Sequence, residues 1–160
     1  MAENKYYGIY QGVVCNLKDP EKRGRIKTII PSVLGDSIES AWCEPCVNVA
    51  YDDGGDICLP PIDELVWIMF IEGDPNRPVW LGSWWSKDKT NFGDTDYYKK
   101  YTTQRIIEYG GHKVTMDKKN NIVKIENNKG ASVEMKNKII TISNGDGAVI
   151  KLEGKNIYLN

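Results

Sequence analysis

The chain has 160 residues, 41% of them hydrophobic and 27% charged, a composition that fits a globular protein of one or two small domains. A formal net charge of −1 argues against a general binder of nucleic acid or anionic membrane, which needs an excess of Lys and Arg. No apolar run is long enough for a membrane span, and the opening MAENKYYGIYQ lacks the apolar core of a secretory signal, so synthesis in the cytoplasm is expected.

Taken in chain order, the alternation of apolar and polar residues predicts five strands over Gly8–Asn16, Arg25–Pro31, Ser40–Asn48, Glu64–Ile71 and Pro78–Trp85, with no convincing helix. Two turns stand out, one over Lys18-Asp19-Pro20-Glu21-Lys22-Arg23-Gly24 and one over Glu72-Gly73-Asp74-Pro75-Asn76-Arg77-Pro78. In each, Pro presets the backbone for a turn and Gly is free to take a positive φ. Pro60-Pro61 cannot lie inside a central strand and therefore marks the start of the run that follows. Five short strands with a long middle excursion predict a small, partly open barrel.

A polar stretch, Ser86–Gln104, follows, with Tyr97, Tyr98 and Tyr101 interspersed. Connections this long usually have a task. Either the tyrosines pack between neighbouring subunits, or the stretch is a flexible tether.

From Gly111 onward the pattern changes to six short alternating runs: His112–Met116, Ile122–Glu126, Ala131–Met135, Lys138–Ile142, Ala148–Leu152 and Asn156–Leu159. Asn-Asn, Asn-Lys-Gly, Gly-Asp-Gly and Glu-Gly-Lys punctuate them, as tight turns between half-buried strands do. Each run offers two apolar residues in phase: Val114 and Met116, Val123 and Ile125, Val133 and Met135, Ile140 and Ile142, Ile150 and Leu152, Ile157 and Leu159. Burying each of these gains about 1.5–3 kcal/mol, yet the segment has no helix and no second sheet to cover them. An isolated meander would also leave its edges unpaired. Sister copies around a common axis would solve both problems, which makes these twelve residues the expected oligomer core. A monomeric meander packed on the N-terminal domain is the alternative.

Sites for chemistry are few. Cys43-Glu44-Pro45-Cys46 is a CxxC, and Cys15 and Cys58 bring the thiols to four, enough on paper for zinc. A strand sends Cys43 and Cys46 to opposite faces unless it bulges, and a redox CxxC belongs at a helix N-terminus. Reduced thiols are therefore expected, with Cys43 and Cys46 as weak metal candidates and no cofactor. His112, the one histidine, has no Ser or Cys in an elbow-like context. Asp52-Asp53 with Asp56 lacks the spacing of a calcium loop. No catalytic residue is assigned and no enzyme is expected.

Several of these residues also carry a likeness. GVVCNLKDPEKRGRIKTIIP, ESAWCEP and LPPIDELVWIMFIEGDPNRPVWLGSWW together resemble the OB-fold domain of contractile-tail baseplate central spikes, as in phage tails and type VI secretion. The matching positions are Asp19, Pro20, Arg23, Gly24 and Arg25; Trp42 and Pro45; Leu59-Pro60 and Glu64-Leu65-Val66; Gly73-Asp74-Pro75, Arg77-Pro78 and Leu81-Gly82. Gly111-His112-Lys113 stands where such spikes pass into a trimeric β-prism or β-helix. The resemblance implies an all-β chain: a five-stranded OB-fold barrel over residues 1–85, a linker over 86–104, and an intertwined trimeric prism over 105–160. It further implies a homotrimer that docks on baseplate hub and tube proteins and touches the target envelope transiently on sheath contraction, with room for a separate tip protein at Asn160. No nucleic-acid partner is expected, and the location would be a virion or tail-like particle. The stretch over 86–104 is too short for the lysozyme domain that large phage spikes insert there. The paired histidines that hold iron at the apex of many short spikes are absent as well. An OB-fold module for oligonucleotide or oligosaccharide is the alternative, with Trp42, Trp67, Trp80, Trp84 and Trp85 as stacking platforms.

Overall fold

A computed structural model describes residues 4–52, 54–86 and 101–160. The chain divides into two compact units, Met1–Asn91 and Phe92–Asn160. Asp53, Tyr97 and Tyr98 lie outside the described residues, and so does most of the linker expected over residues 86–104.

In the first unit, β1 (Tyr10–Asn16), β2 (Lys27–Ile29), β3 (Glu44–Pro45), β6 (Leu65–Phe70) and β7 (Pro78–Ser83) form one sheet in the order β2-β1-β6-β7-β3. Its pairings are antiparallel except for β3 on β7. The chain entering β3 then turns the sheet back on itself. Antiparallel bridges Ile26–Cys43 and Ile29–Glu39 join it to the flanks of β2, while Cys46 donates its N–H to the Trp80 carbonyl at 2.9 Å. This is the five-stranded OB-fold barrel.

The strand expected over Ser40–Asn48 pairs regularly only at Glu44–Pro45. Its first half bonds toward β2 and its second half toward β7, and Pro45 has no N–H to give the ladder. The expectation of no helix needs correcting: α1 (Pro31–Leu34) is one helical turn, with Pro near its start where the fixed φ suits a helix. A 3-10 turn, Ile71–Gly73, separates β6 from β7. The long excursion also holds a small hairpin, β4 (Ala50–Tyr51) with β5 (Gly54–Gly55).

Val14, Ile26, Ile30, Cys43, Val66, Ile68, Phe70 and Trp80 fill the barrel, and Tyr6, Tyr10 and Leu59 pack against them. Val14, Val66, Ile68, Phe70 and Trp80 come from β1, β6 and β7, with Val66, Ile68 and Phe70 at alternate positions of one strand, while Ile26, Ile30 and Cys43 flank β2 and β3. Two bulges, at Val14/Asn16 and Trp67/Ile68, bend the strands round the small circumference.

The second unit is a seven-stranded antiparallel meander: β8 (Gln104–Tyr109), β9 (His112–Asp117), β10 (Ile122–Glu126), β11 (Ser132–Lys136), β12 (Ile139–Ser143), β13 (Val149–Glu153) and β14 (Asn156–Leu159). Seven strands about 4.8 Å apart make a ladder roughly 29 Å long. Two five-residue turns two strands apart share one device. Asn127 Oδ1 accepts the N–H groups of Lys129 and Ala131, and Asn144 Oδ1 accepts those of Asp146 and Ala148. Such side-chain caps explain why Asn punctuates this part of the sequence.

Candidate functional site

Register decides what the meander presents. Met116 stands opposite Val123, Val123 opposite Met135, Met135 opposite Ile140, Ile140 opposite Leu152, and Leu152 opposite Ile157. A second row runs beside it: Val114, Ile125, Val133, Ile142, Ile150 and Leu159. All twelve residues expected from the alternation thus lie on one face, in two unbroken rows. The face has one more member, Ile107, which pairs with Val114 from β8; Arg105 caps the other row opposite Met116.

Among the described residues nothing covers these rows. Ile125 is 55% exposed, Ile142 43% and Ile150 41%. On the reverse face Lys124, Glu134, Thr141 and Lys151, also in register, are only half-exposed. Short ion pairs organise that side: Lys124 with Glu126 and Lys151 with Glu153, both at 2.6 Å, and Lys113 with Glu108 at 3.6 Å. The burial is inverted relative to a sheet packed inside a monomer, where the apolar side is the hidden one. An apolar expanse of this kind marks an association surface.

Asp117 closes the lower end of β9. It is 4% exposed, and its carboxylate accepts from Gln104 Nε2, Asn120 Nδ2 and the N–H groups of Lys119 and Asn120. The Gln104 hydrogen bond, followed by those from Asn120, holds its pKa down at about 2.

In the barrel, the turn after β1 is built on Asp19. Its oxygens accept the backbone N–H groups of Glu21, Arg23 and Arg25, and both Nε and Nη2 of Arg25 reach Oδ1, at 3.1 and 2.6 Å. The Arg25 side chain, foremost, keeps the Asp19 carboxyl well below the usual carboxylate range. Arg25 also lies over the Trp42 ring at 5.7 Å. Pro20 starts this turn, Arg23 reaches Glu44 at 2.9 Å, and Gly24 takes a φ of +74°, with the Ile57 side chain against the space a Cβ would fill. The turn before β7 repeats the logic. Asp74 Oδ1 accepts from the Asn76 N–H, Arg77 pairs with Glu72, and Pro78 is fully buried as β7 begins past Pro75. Gly73, at φ +74°, has no room for a Cβ: a Tyr7 ring carbon would stand 2.9 Å away. The alternation identified neither carboxylate as a hub. The signal available was an Asp with Pro one residue later, followed by Arg-Gly-Arg after Asp19 and by Asn-Arg-Pro after Asp74.

The two CxxC cysteines separate. Cys43 is buried in the core, its sulfur 3.4 Å from Ser40 Oγ and 3.6 Å from Thr28 Oγ1, whereas Cys46 is exposed. Burial pushes the Cys43 thiol up. Among the described residues no group of three or more His, Cys, Asp and Glu side chains could hold a metal ion. His112 sits opposite Tyr109 at the upper end of the apolar face. Of the tryptophans, Trp80 is in the barrel core, Trp67 stacks on Trp84 at 5.2 Å, and Trp42 lies under Arg25 and Lys27.

Residues 10–85 match a family model described as the type VI secretion system/phage-baseplate injector OB domain. Residues 105–160 match a second, the phage baseplate V C-terminal trimerisation domain. No curated protein matches the chain.

Proposed function

The chain belongs to the contractile-tail baseplate central-spike family, and on that basis we propose that three copies form the spike that pierces the target envelope when the sheath contracts. The role is structural. The barrel docks on hub and tube proteins, and the meander, associated with its two sister copies, points at the target. The observation that carries this reading is the pair of apolar rows, exposed on one chain and in continuous register over six strands, β9 to β14, with Ile107 on β8 extending one of them. Three such faces turned inward give a dry core along the ladder, with each residue withdrawn from water contributing about 1.5–3 kcal/mol. Asp19 and Asp74 then act as rigid turn hubs that shape one rim of the barrel for its neighbours.

Nothing favours the oligonucleotide reading. Four of the five tryptophans are stacked on, buried by or covered with other side chains, so they offer no free platform.

Particles assembled with an Ile142→Asp chain in place of the native one test the proposal. The spike reading expects tails that fail to assemble or to kill; fully active particles would contradict it.

A further inference from the structure

Charge is divided unevenly along the chain, which the whole-chain value conceals. Residues 1–103 carry 11 Lys and Arg against 16 Asp and Glu, whereas residues 104–160 carry 10 against 6. The meander then sorts these cations. Turns after β8, β10 and β12 lie on one long edge of the sheet, and turns after β9, β11 and β13 on the other. The second edge presents Lys118, Lys119, Lys136, Lys138 and Lys155, all exposed. Among the described residues none of the five takes part in an ion pair, while Lys113, Lys124 and Lys151 on the polar face all do. The two acids at this edge are already engaged: Asp117 is buried under four hydrogen bonds, and Glu153 pairs with Lys151. The opposite edge has Lys129 balanced by Asp146 among Asn and Gly.

Successive turns on one edge are two strands, roughly 9.5 Å, apart, so the lysines stand in file along the ladder. The first two turns are tied together, with Asn137 N–H bonded to the Asn121 carbonyl at 3.1 Å and Asn121 Nδ2 to Asn137 Oδ1 at 3.2 Å. Five ammonium groups held along a line repel one another unless an extended anion lies beside them.

We propose that this lysine file binds a phosphate-bearing glycan of the target cell's envelope; this rests on the spike reading, which brings the sheet to that envelope. An ammonium is a compact, strongly hydrated point charge that meets phosphate without demanding a fixed fork geometry. The turn residues 118–121, 136–138 and 153–155 contain no aromatic side chain on which a nucleobase could stack. They contain no apolar side chain to enter a bilayer either. A hydrated polymer carrying many phosphates fits what remains. Binding through counterion release is fast, salt-sensitive and tolerant of sliding, so the spike is steered to the surface without being held there.

The test titrates the full-length protein with poly(glycerol phosphate), and in parallel with single-stranded DNA of equal phosphate count and with phosphatidylglycerol vesicles. Light scattering reports assembly of each sample separately, so a native protein that is not a trimer counts against the spike reading, and a native trimer that does not bind counts against this one. The native protein is expected to bind poly(glycerol phosphate) and to lose roughly a hundredfold in affinity between about 50 and 200 mM salt. The variant Lys118→Gln, Lys119→Gln, Lys136→Gln, Lys138→Gln, Lys155→Gln should bind at least about tenfold more weakly, and Lys113→Gln with Lys129→Gln should bind as the native protein does. Should the fivefold variant fail to assemble, Lys118→Gln with Lys119→Gln alone is expected to show a partial loss and a shallower salt slope. Native affinity in that pair, or tighter binding of the DNA or the vesicles than of poly(glycerol phosphate), would overturn the proposal.

Discussion

Gln104 stands directly opposite Asp117 and donates a 2.8 Å hydrogen bond from Nε2 to its Oδ2, fastening the first strand of the meander to the second. Because that bond and those from Asn120 and Lys119 favour the ionised carboxylate, its pKa falls from 3.8 to about 2. A depressed pKa contributes stability that is complete above the unfolded value and is lost as pH falls through the folded one. Acid should therefore weaken the C-terminal sheet between about pH 4 and pH 2, and Asp117→Asn should flatten that dependence while lowering stability at neutral pH. Circular-dichroism melts across this range check it; parallel curves for the two proteins would contradict the assignment.

Face selectivity distinguishes an association surface from an ordinary sheet. Ile142 and Thr141 are neighbours on β12 that point to opposite faces. Ile142→Asp places a charge among Val133, Ile150 and their counterparts in two sister chains, an uncompensated burial costing several kcal/mol per copy. It should abolish the oligomer at micromolar concentration, whereas Thr141→Lys should leave it intact. Size-exclusion chromatography of both variants decides the matter.

The barrel's stability should depend on its own core. Ile68 is fully buried between β1 and β7, and Ile68→Ala is expected to destabilise the barrel by about 2–5 kcal/mol. Denaturant titration followed by tryptophan fluorescence measures this, and a loss under about 1 kcal/mol would show that the site collapses onto the gap.

The cysteines should react in order of access. Cys46 and Cys58 are exposed, Cys15 is intermediate and Cys43 is buried with a raised pKa. An aromatic disulfide reagent at neutral pH should modify two thiols quickly, a third slowly and the fourth only on unfolding. Fast reaction of Cys43 would contradict its placement in the core.

Much of this architecture is legible in the sequence, for reasons that differ by segment. Strands β10 and β14 have the bounds that the alternation predicts, since each puts two apolar residues in phase and is closed by Asn. Strand β8 escapes the pattern because Ile106 and Ile107 are adjacent apolar residues that point to opposite faces, after a polar stretch that reads as linker. In the barrel, α1 is four residues long and β5 is two glycines, both below the length at which any periodicity shows. The Asp19–Arg25 pair is hidden for another reason: five residues separate its members, and only the folded turn between them brings them together.

Mass in solution tests the central claim most directly. Light scattering of the purified full-length chain at micromolar concentration should give three times its 18.1 kDa mass, unchanged on dilution. A stable species of 18.1 kDa, folded and soluble with Val123, Ile140 and Ile150 open to water, would contradict the account.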